Sequence, residues 1–432
     1  MNTDLPDKSA QNHKMQRYAA FTVLLPLFCL IAIGLVNRVI DPYQIFSADR
    51  HALYNDKPAL HANMRLHKAY QVRLQKPDSL ILGSSKAIQG LPTAHPLFDG
   101  QRVYNLAMPL ASMKELTFLL RHANTVSPVR HVVLGLDFLS FNTLARTDGP
   151  AAGFRPQRLM GHPGTESPMT DYLSALVSLD ALRASYQVLR QRRQLAADNA
   201  PADKLTEHRA LTGLGGREDA EIRSRLLDGG HHSNTLKIEE FFTNAVYLPS
   251  PHRQFSFDNA QENSLHWFEE FLRTLHENNM SASLFISPSH ARLNELIDAA
   301  GLWSQYEQWR RQMLSISLRV AHDYGDAPYR LLDFSTPGDI TTEVFPAIGD
   351  SDYHMRYYYE SIHFNQQTGA LVLDRLKEDR EQPDSVITAD FGQLLSESNI
   401  EAFLQEIRTR QSRFRQDYPT YRQELEDIVQ SR

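Results

Sequence analysis

Residues 18–36 (YAAFTVLLPLFCLIAIGLV) run for nineteen positions without a charge. A backbone in hydrocarbon must satisfy its own hydrogen bonds, so a segment of this kind spans lipid as a helix. At 1.5 Å per residue it reaches about 28 Å, close to the hydrocarbon thickness of a bilayer. Pro26 is compatible with a membrane helix, where lost backbone bonds are locally re-satisfied. Lys8, Lys14 and Arg17 precede the run, and Arg38 and then Asp41 follow it. That bias favours a cytoplasmic N-terminus. A cleaved signal peptide and a buried helix of a soluble domain are the rival readings. The run is long for a signal peptide, and the following NRVIDPYQIF offers no small-x-small cleavage site. Cys29 lacks the small residues that precede a lipoprotein cysteine. It is the only cysteine in the 432-residue chain, which excludes an intramolecular disulfide and a Cys-based zinc cluster. The expectation is an uncleaved anchor: residues 1–17 cytoplasmic, 18–36 in the membrane, and the rest of the chain outside.

Hydrophobic residues make up 42% of the chain and charged residues 22%, which is a globular composition and excludes wholesale disorder. The formal net charge of -6 speaks against a nucleic-acid-binding coat.

Beyond the anchor, residues 37–75 are polar and aperiodic and read as a linker with a lead-in helix. A domain over 76–382 then shows short apolar runs alternating with amphipathic stretches. The runs are 78–85 (DSLILGSS), 103–106 (VYNL), 131–138 (HVVLGLDF), 283–287 (SLFIS) and 329–334 (YRLLDF). Ser112 and Glu115 fit a capping box that opens a helix. A further helix carries Leu265, Phe268, Phe271, Leu272 and Leu275 on one face. Strands alternating with helices imply an α/β fold with a mainly parallel sheet covered on both faces. Residues 145–255 interrupt the rhythm and read as a helical insertion or cap, with a helix from Tyr172 to about Leu195. The polar stretch after it contains Gly215, Gly216, Gly229, Gly230 and the pair His231–His232. Adjacent histidines do not share a helical face, so the pair reads as a solvated loop rather than a metal site. Residues 383–432 read as a charged helical tail broken at Pro419.

The chemistry-bearing positions lie at the ends of this pattern. Ser84 and Ser85 stand just past the first strand, at the start of a helix. In open α/β sheets ligands bind at that carboxyl edge, and a helix N-terminus offers amide donors to an oxyanion. Taken alone, a serine there is equally a helix cap. Near the other end of the chain, Glu360 and His363 are three residues apart in YYYESIHF, which brings them to one side of a turn. A carboxylate on one imidazole nitrogen leaves the other free as a base for a serine. A second histidine at the spacing of H-E-x-x-H is missing, so no metal is expected, and nothing in the sequence calls for a cofactor. His290, after the fourth strand, falls at the same sheet edge and is a candidate to line a cleft. Tyr357, Tyr358, Tyr359, Trp303 and Trp309 are candidates to stack on sugar faces, or else core aromatics.

Together these blocks resemble the SGNH (GDSL-like) hydrolase superfamily. Gly83-Ser84-Ser85 is similar to its G-D-S block, and Glu360-Ser-Ile-His363 to its late D-x-x-H. The pattern looks most like membrane-anchored members of cell-surface polymer acylation systems, such as the teichoic acid D-alanyl transfer protein and the alginate O-acetylation proteins. It shares with them an N-terminal anchor, a DPY segment (Asp41-Pro-Tyr43) and a Tyr-Asn-Leu strand. The resemblance covers roughly residues 20–45, 76–142 and 280–380.

What it implies is a three-layer, flavodoxin-like parallel sheet with catalytic Ser85, Glu360 and His363. It implies a serine esterase or O-acyltransferase acting on an exported or cell-surface polysaccharide. It further implies a possible acyl-exporting membrane partner, and a bacterial inner-membrane protein whose C-terminal domain is periplasmic or extracellular. The family's acid is usually Asp; here it is Glu360. The glycine of the second block is replaced by Leu110 or Ala107. In the third block Asp137 stands where an Asn donor is expected, which leaves Asn105 or Asn142 as replacement oxyanion donors. A non-catalytic glycan-binding or scaffold subunit with the same fold is the alternative.

Overall fold

The structure, a computed structural model, describes residues 8–48, 57–145, 153–162, 164–197, 222–223, 226–228, 230–250, 255–346, 349, 355–381 and 391–431. Gly215, Gly216 and Gly229 lie outside the described residues. The chain divides into two compact units. One comprises Met1–Gln75 and Glu166–Ala200, and the other Lys76–Thr165 and Pro201–Arg432.

In the first unit, residues 18–36 lie in one helix, Lys8–Ile40. Its most apolar window, within Met15–Ile40, has a mean hydropathy of 2.6, and none of that window is buried. Among the described residues it is the one helix long and apolar enough to cross a membrane. The DPY segment ends it. Asp41 is buried at a positive φ, and its carboxylate accepts from the backbone amides of Ile45, Phe46 and Ser47 at 2.9, 3.1 and 3.2 Å. Those amides would otherwise be orphaned as the chain turns. Residues 37–75, expected as a linker with a lead-in helix, contribute to the core of this unit. The helix Met64–Gln75 buries Tyr70, which packs with Tyr43, Ile45, Ala175, Ala181 and Ala184 in a small core of this unit. Residues 166–200, expected within an insertion, belong here, as the helices Met169–Val177 and Leu179–Ala197.

The second unit is built on a mixed six-stranded sheet. Its strands are β1 (Ser79–Leu82), β2 (Val103–Asn105), β3 (His131–Leu136), β4 (Ser281–Ile286), β5 (Leu331–Asp333) and β6 (Gln393–Leu394), in the order β2-β1-β3-β4-β5-β6. Neighbours through β5 pair in parallel, and β6 is antiparallel to β5. The five apolar runs of the sequence are the five parallel strands. All residues of β1 and β3 are buried, which is why these runs show no alternation: both faces are covered. The edge strand β6 has no counterpart among the sequence expectations, because two half-buried residues carry no period to detect.

Helix Met113–Val126 starts as expected, with the Ser112 hydroxyl accepting from the Glu115 amide at 3.2 Å. It packs against Ser264–Glu277, which in turn packs against Trp303–Tyr324. The expected tail forms the helices Ile400–Asp417 and Pro419–Gln430, broken at Pro419. It is not merely a surface feature. Phe403, Leu404, Ile407, Phe414 and Leu425 are buried, and both helices pack on Ala291–Ala299.

Candidate active site

β1 has β2 on one side and β3 on the other, so the chain leaves its carboxyl end at the point where strand order reverses. A crevice opens there in sheets of this type. Gly83 makes the exit turn at φ +149°, and a Cβ there would stand 2.9 Å from the Ala87 methyl and 3.1 Å from the Gly135 carbonyl. Ser84 is the N-cap of helix Ser85–Gly90. Its hydroxyl accepts from the Lys86 amide at 3.2 Å and donates to the Asp137 carboxylate at 2.6 Å. Lys86 in turn pairs with Asp137 at 3.2 Å and reaches the Ser289 hydroxyl at 3.3 Å. Ser84, Lys86 and Asp137 are all buried. Asp137 therefore accepts, as its charge requires, and anchors the turn from both sides.

Ser85 differs from Ser84: it is partly exposed, and its Oγ lies 2.8 Å from His363 Nε2. The other ring nitrogen, Nδ1, contacts Glu360 Oε1. A carboxylate on Nδ1 holds the proton at that atom, so the Nε2 lone pair faces the serine hydroxyl. Glu360 is itself fixed, its second oxygen accepting from the Ile362 amide at 2.6 Å. The segment is a closed loop rather than a helix. Tyr358 and Phe364 form an antiparallel bridge, the Tyr359 amide donates to the His363 carbonyl at 2.9 Å, and Asn365 caps the helix that follows through the amides of Gln367 and Thr368. The Phe242 ring stands edge-on to His363, with centroids 5.9 Å apart.

Two glycines set the separation of the serine helix and the histidine loop. A Cβ on Gly90 would fall 2.0 Å from the Phe364 ring, and one on Gly369 only 1.6 Å from the Gly90 carbonyl oxygen. Helix Gln366–Glu381 thus rests directly on the backbone of Ser85–Gly90.

The remaining expected site residues are committed elsewhere. Asn105 is fully buried. Its amide donates to the carbonyls of Ala87 and Leu91 at 2.9 and 3.4 Å, and its oxygen accepts from the Ala107 amide at 3.2 Å. It braces the serine helix instead of serving as an oxyanion donor, and it occupies the Ala107 amide. Asn142 donates to the Val246 carbonyl and accepts from the amides of Leu144 and Ser256 at 3.0 and 3.1 Å, so it too ties loops together. His290 does not line a cleft. It is wholly buried, its Nδ1 accepts from the Arg292 amide at 3.1 Å, and its Nε2 donates to the Glu343 carbonyl at 2.7 Å. Burial lowers its pKa to about 3, so it is neutral. Tyr358, Tyr359 and Trp309 are buried aromatics. The pair His231–His232 is not a solvated loop: it opens helix His231–Phe242, and buried His231 contacts the Tyr359 carbonyl through Nε2 at 2.7 Å. Leu110 has φ +50°, a left-handed conformation at the place where the resemblance expects glycine. Among the described residues no three His, Cys, Asp or Glu side chains converge as a metal site would require.

Lys86, Phe242 and the Gly90–Gly369 contact escaped the sequence reading. Only Lys86 left a trace, as a charge placed directly after the Gly83-Ser84-Ser85 block.

No protein-family model matches the chain, and neither a curated protein nor a solved structure is significantly similar to it.

Proposed function

We propose that this chain is a membrane-anchored serine esterase or O-acyltransferase of the SGNH (GDSL-like) kind, acting outside the cytoplasm. The observation that carries the reading is the relay Ser85–His363–Glu360, in which the one partly exposed serine of the turn meets the free nitrogen of an imidazole oriented by a carboxylate. In the reaction, His363 Nε2 takes the Ser85 proton as Oγ attacks an ester carbonyl. The alcohol leaves with that proton, and the acyl group stays on Ser85. Water or a polymer hydroxyl, deprotonated by His363, then releases it. The Ser85 backbone amide at the start of the serine helix suits the oxyanion, since the amides of Lys86, Ala87 and Ile88 are spent on Ser84. The apolar helix suits a substrate at the membrane or wall, and an O-acetylated exported polysaccharide in a bacterial envelope fits both features. An acyl-exporting membrane protein would then supply the donor.

A second reading, a glycan-binding or scaffold subunit, draws on Asn105 and Asn142, whose side chains are spent on backbone groups. The deciding experiment treats the purified full-length chain with a chromogenic acetyl ester and a serine-reactive fluorophosphonate. Hydrolysis and labelling that vanish in Ser85→Ala and in His363→Ala support the enzyme. An unlabelled, inactive wild type, also in the presence of polysaccharide acceptor, would shift the reading to the binding subunit.

A further inference from the structure

In the first unit, helices Met169–Val177 and Leu179–Ala197 form a hairpin whose tip is Ser178, and both lie against the end of Lys8–Ile40. The level of the tip is set by two contacts. Fully buried Asn37 donates to the Leu176 carbonyl at 2.7 Å and accepts from the Ser185 hydroxyl at 2.8 Å. Val177 Cγ1 stands 4.0 Å from where a Cβ on Gly34 would be. Gly34 lies inside the charge-free run, which ends at Val36. The tip is therefore level with the last residues of the apolar span, not above them.

The hairpin's outer surface at this level is apolar. Leu173, Val177 and Leu179 are 52%, 41% and 67% exposed, beside Leu35 at 62% on the long helix. A bilayer that covers the span as far as Val36 necessarily reaches the level of Val177. We propose that lipid is the occupant of this surface. The tip of the hairpin enters the interfacial layer of the membrane and buries Leu173, Val177 and Leu179 among acyl chains. The depth is limited by Asp180, next to Leu179 at the tip, and by Arg183 one turn further on, which are exposed and pair with each other at 3.5 Å, as suits the headgroup region. A single helix leaves the unit free to swivel about its own axis; a second, off-axis contact removes that freedom. The inference is independent of the acyl-transfer reading.

The test uses the full-length chain with Cys29→Ser, reconstituted in vesicles of phosphatidylethanolamine and phosphatidylglycerol. Single cysteines at Leu173, Val177 and Leu179, at Leu35 as a lipid reference and at Arg190 as an aqueous reference, carry a nitroxide. The ratio of collision with oxygen to collision with a water-soluble nickel chelate is expected to be several-fold higher at the three hairpin sites than at Arg190, and to approach that at Leu35. A ratio equal to that at Arg190 would overturn the proposal, since the patch then faces water. Spin–spin broadening relieved by dilution with unlabelled chain would also overturn it in favour of a second copy. Exclusion of both reagents would overturn it in favour of a protein cover.

Discussion

Ser85 and His363 are 278 positions apart in the chain, yet the serine Oγ and the imidazole Nε2 are 2.8 Å apart. Neither residue is held by its own neighbours alone. The serine is set by a turn anchored on Asp137, and the histidine by a loop closed on Glu360 and seated on the serine helix through Gly90 and Gly369.

If this contact is the working nucleophile–base pair, Ser85→Ala and His363→Ala each lower kcat for ester cleavage by about 10⁴-fold and do so non-additively, because the pair acts as a unit. Steady-state kinetics of the single and double variants check this. Equal multiplication of the two losses would sink the pairing.

Glu360→Gln tests orientation rather than charge alone. The amide can present its NH₂ to Nδ1 and hold the wrong tautomer, so kcat is expected to fall by about 10³-fold or more with the fold intact. Circular dichroism alongside kinetics reads both quantities. A fully active variant would remove Glu360 from the relay.

Asp137→Ala leaves Lys86 buried without its counter-ion and Ser84 without its acceptor. Removing one partner of a buried pair costs about 3–5 kcal/mol, whereas removing both with apolar residues of similar volume costs far less. Urea unfolding of Asp137→Leu, Lys86→Met and the double variant is expected to show the double less destabilised than the sum of the singles.

Gly369→Ala has no room, since the added methyl would coincide with the Gly90 carbonyl. Overpacking of this kind costs about 1–3 kcal/mol or forces a backbone shift. The shift would separate the serine helix from the histidine loop. Thermal melts are expected to show a lower Tm, with reduced phosphonate labelling of Ser85 in the folded fraction.

His67, His131 and His290 are held neutral by burial, with pKa values lowered to about 3, 4 and 3. In the unfolded chain each would titrate near its ordinary value of about 6.5. Between that value and the lowered one the unfolded state binds more protons, so stability falls as pH drops below about 6.5 and is fully present above it. Each histidine steepens the loss by up to about 1.4 kcal/mol per pH unit. Urea midpoints at neutral pH and at pH near 5 measure the effect, and His290→Gln is expected to flatten the slope.

The local pattern of the chain determined much of this molecule. A charge-free run long enough for a bilayer could only be one helix. Short apolar runs bounded by turn residues and alternating with amphipathic stretches read as buried strands. Glu360 and His363, three apart, were bound to share one side of a turn. These are short-range properties, written in spacing and composition. Tertiary structure supplies the reason one serine faces out and the other in, because Ser84 turns inward onto Asp137, which arrives just past β3. It also spent Asn105, Asn142 and His290 on backbone groups that would otherwise be buried without partners, which no spacing rule anticipates. And it drew residues 166–200 back to the first helix through Asn37, by hydrogen bonds that span well over a hundred positions. Hydrogen-bond partners are chosen by whichever groups the fold buries together, and that choice is not local.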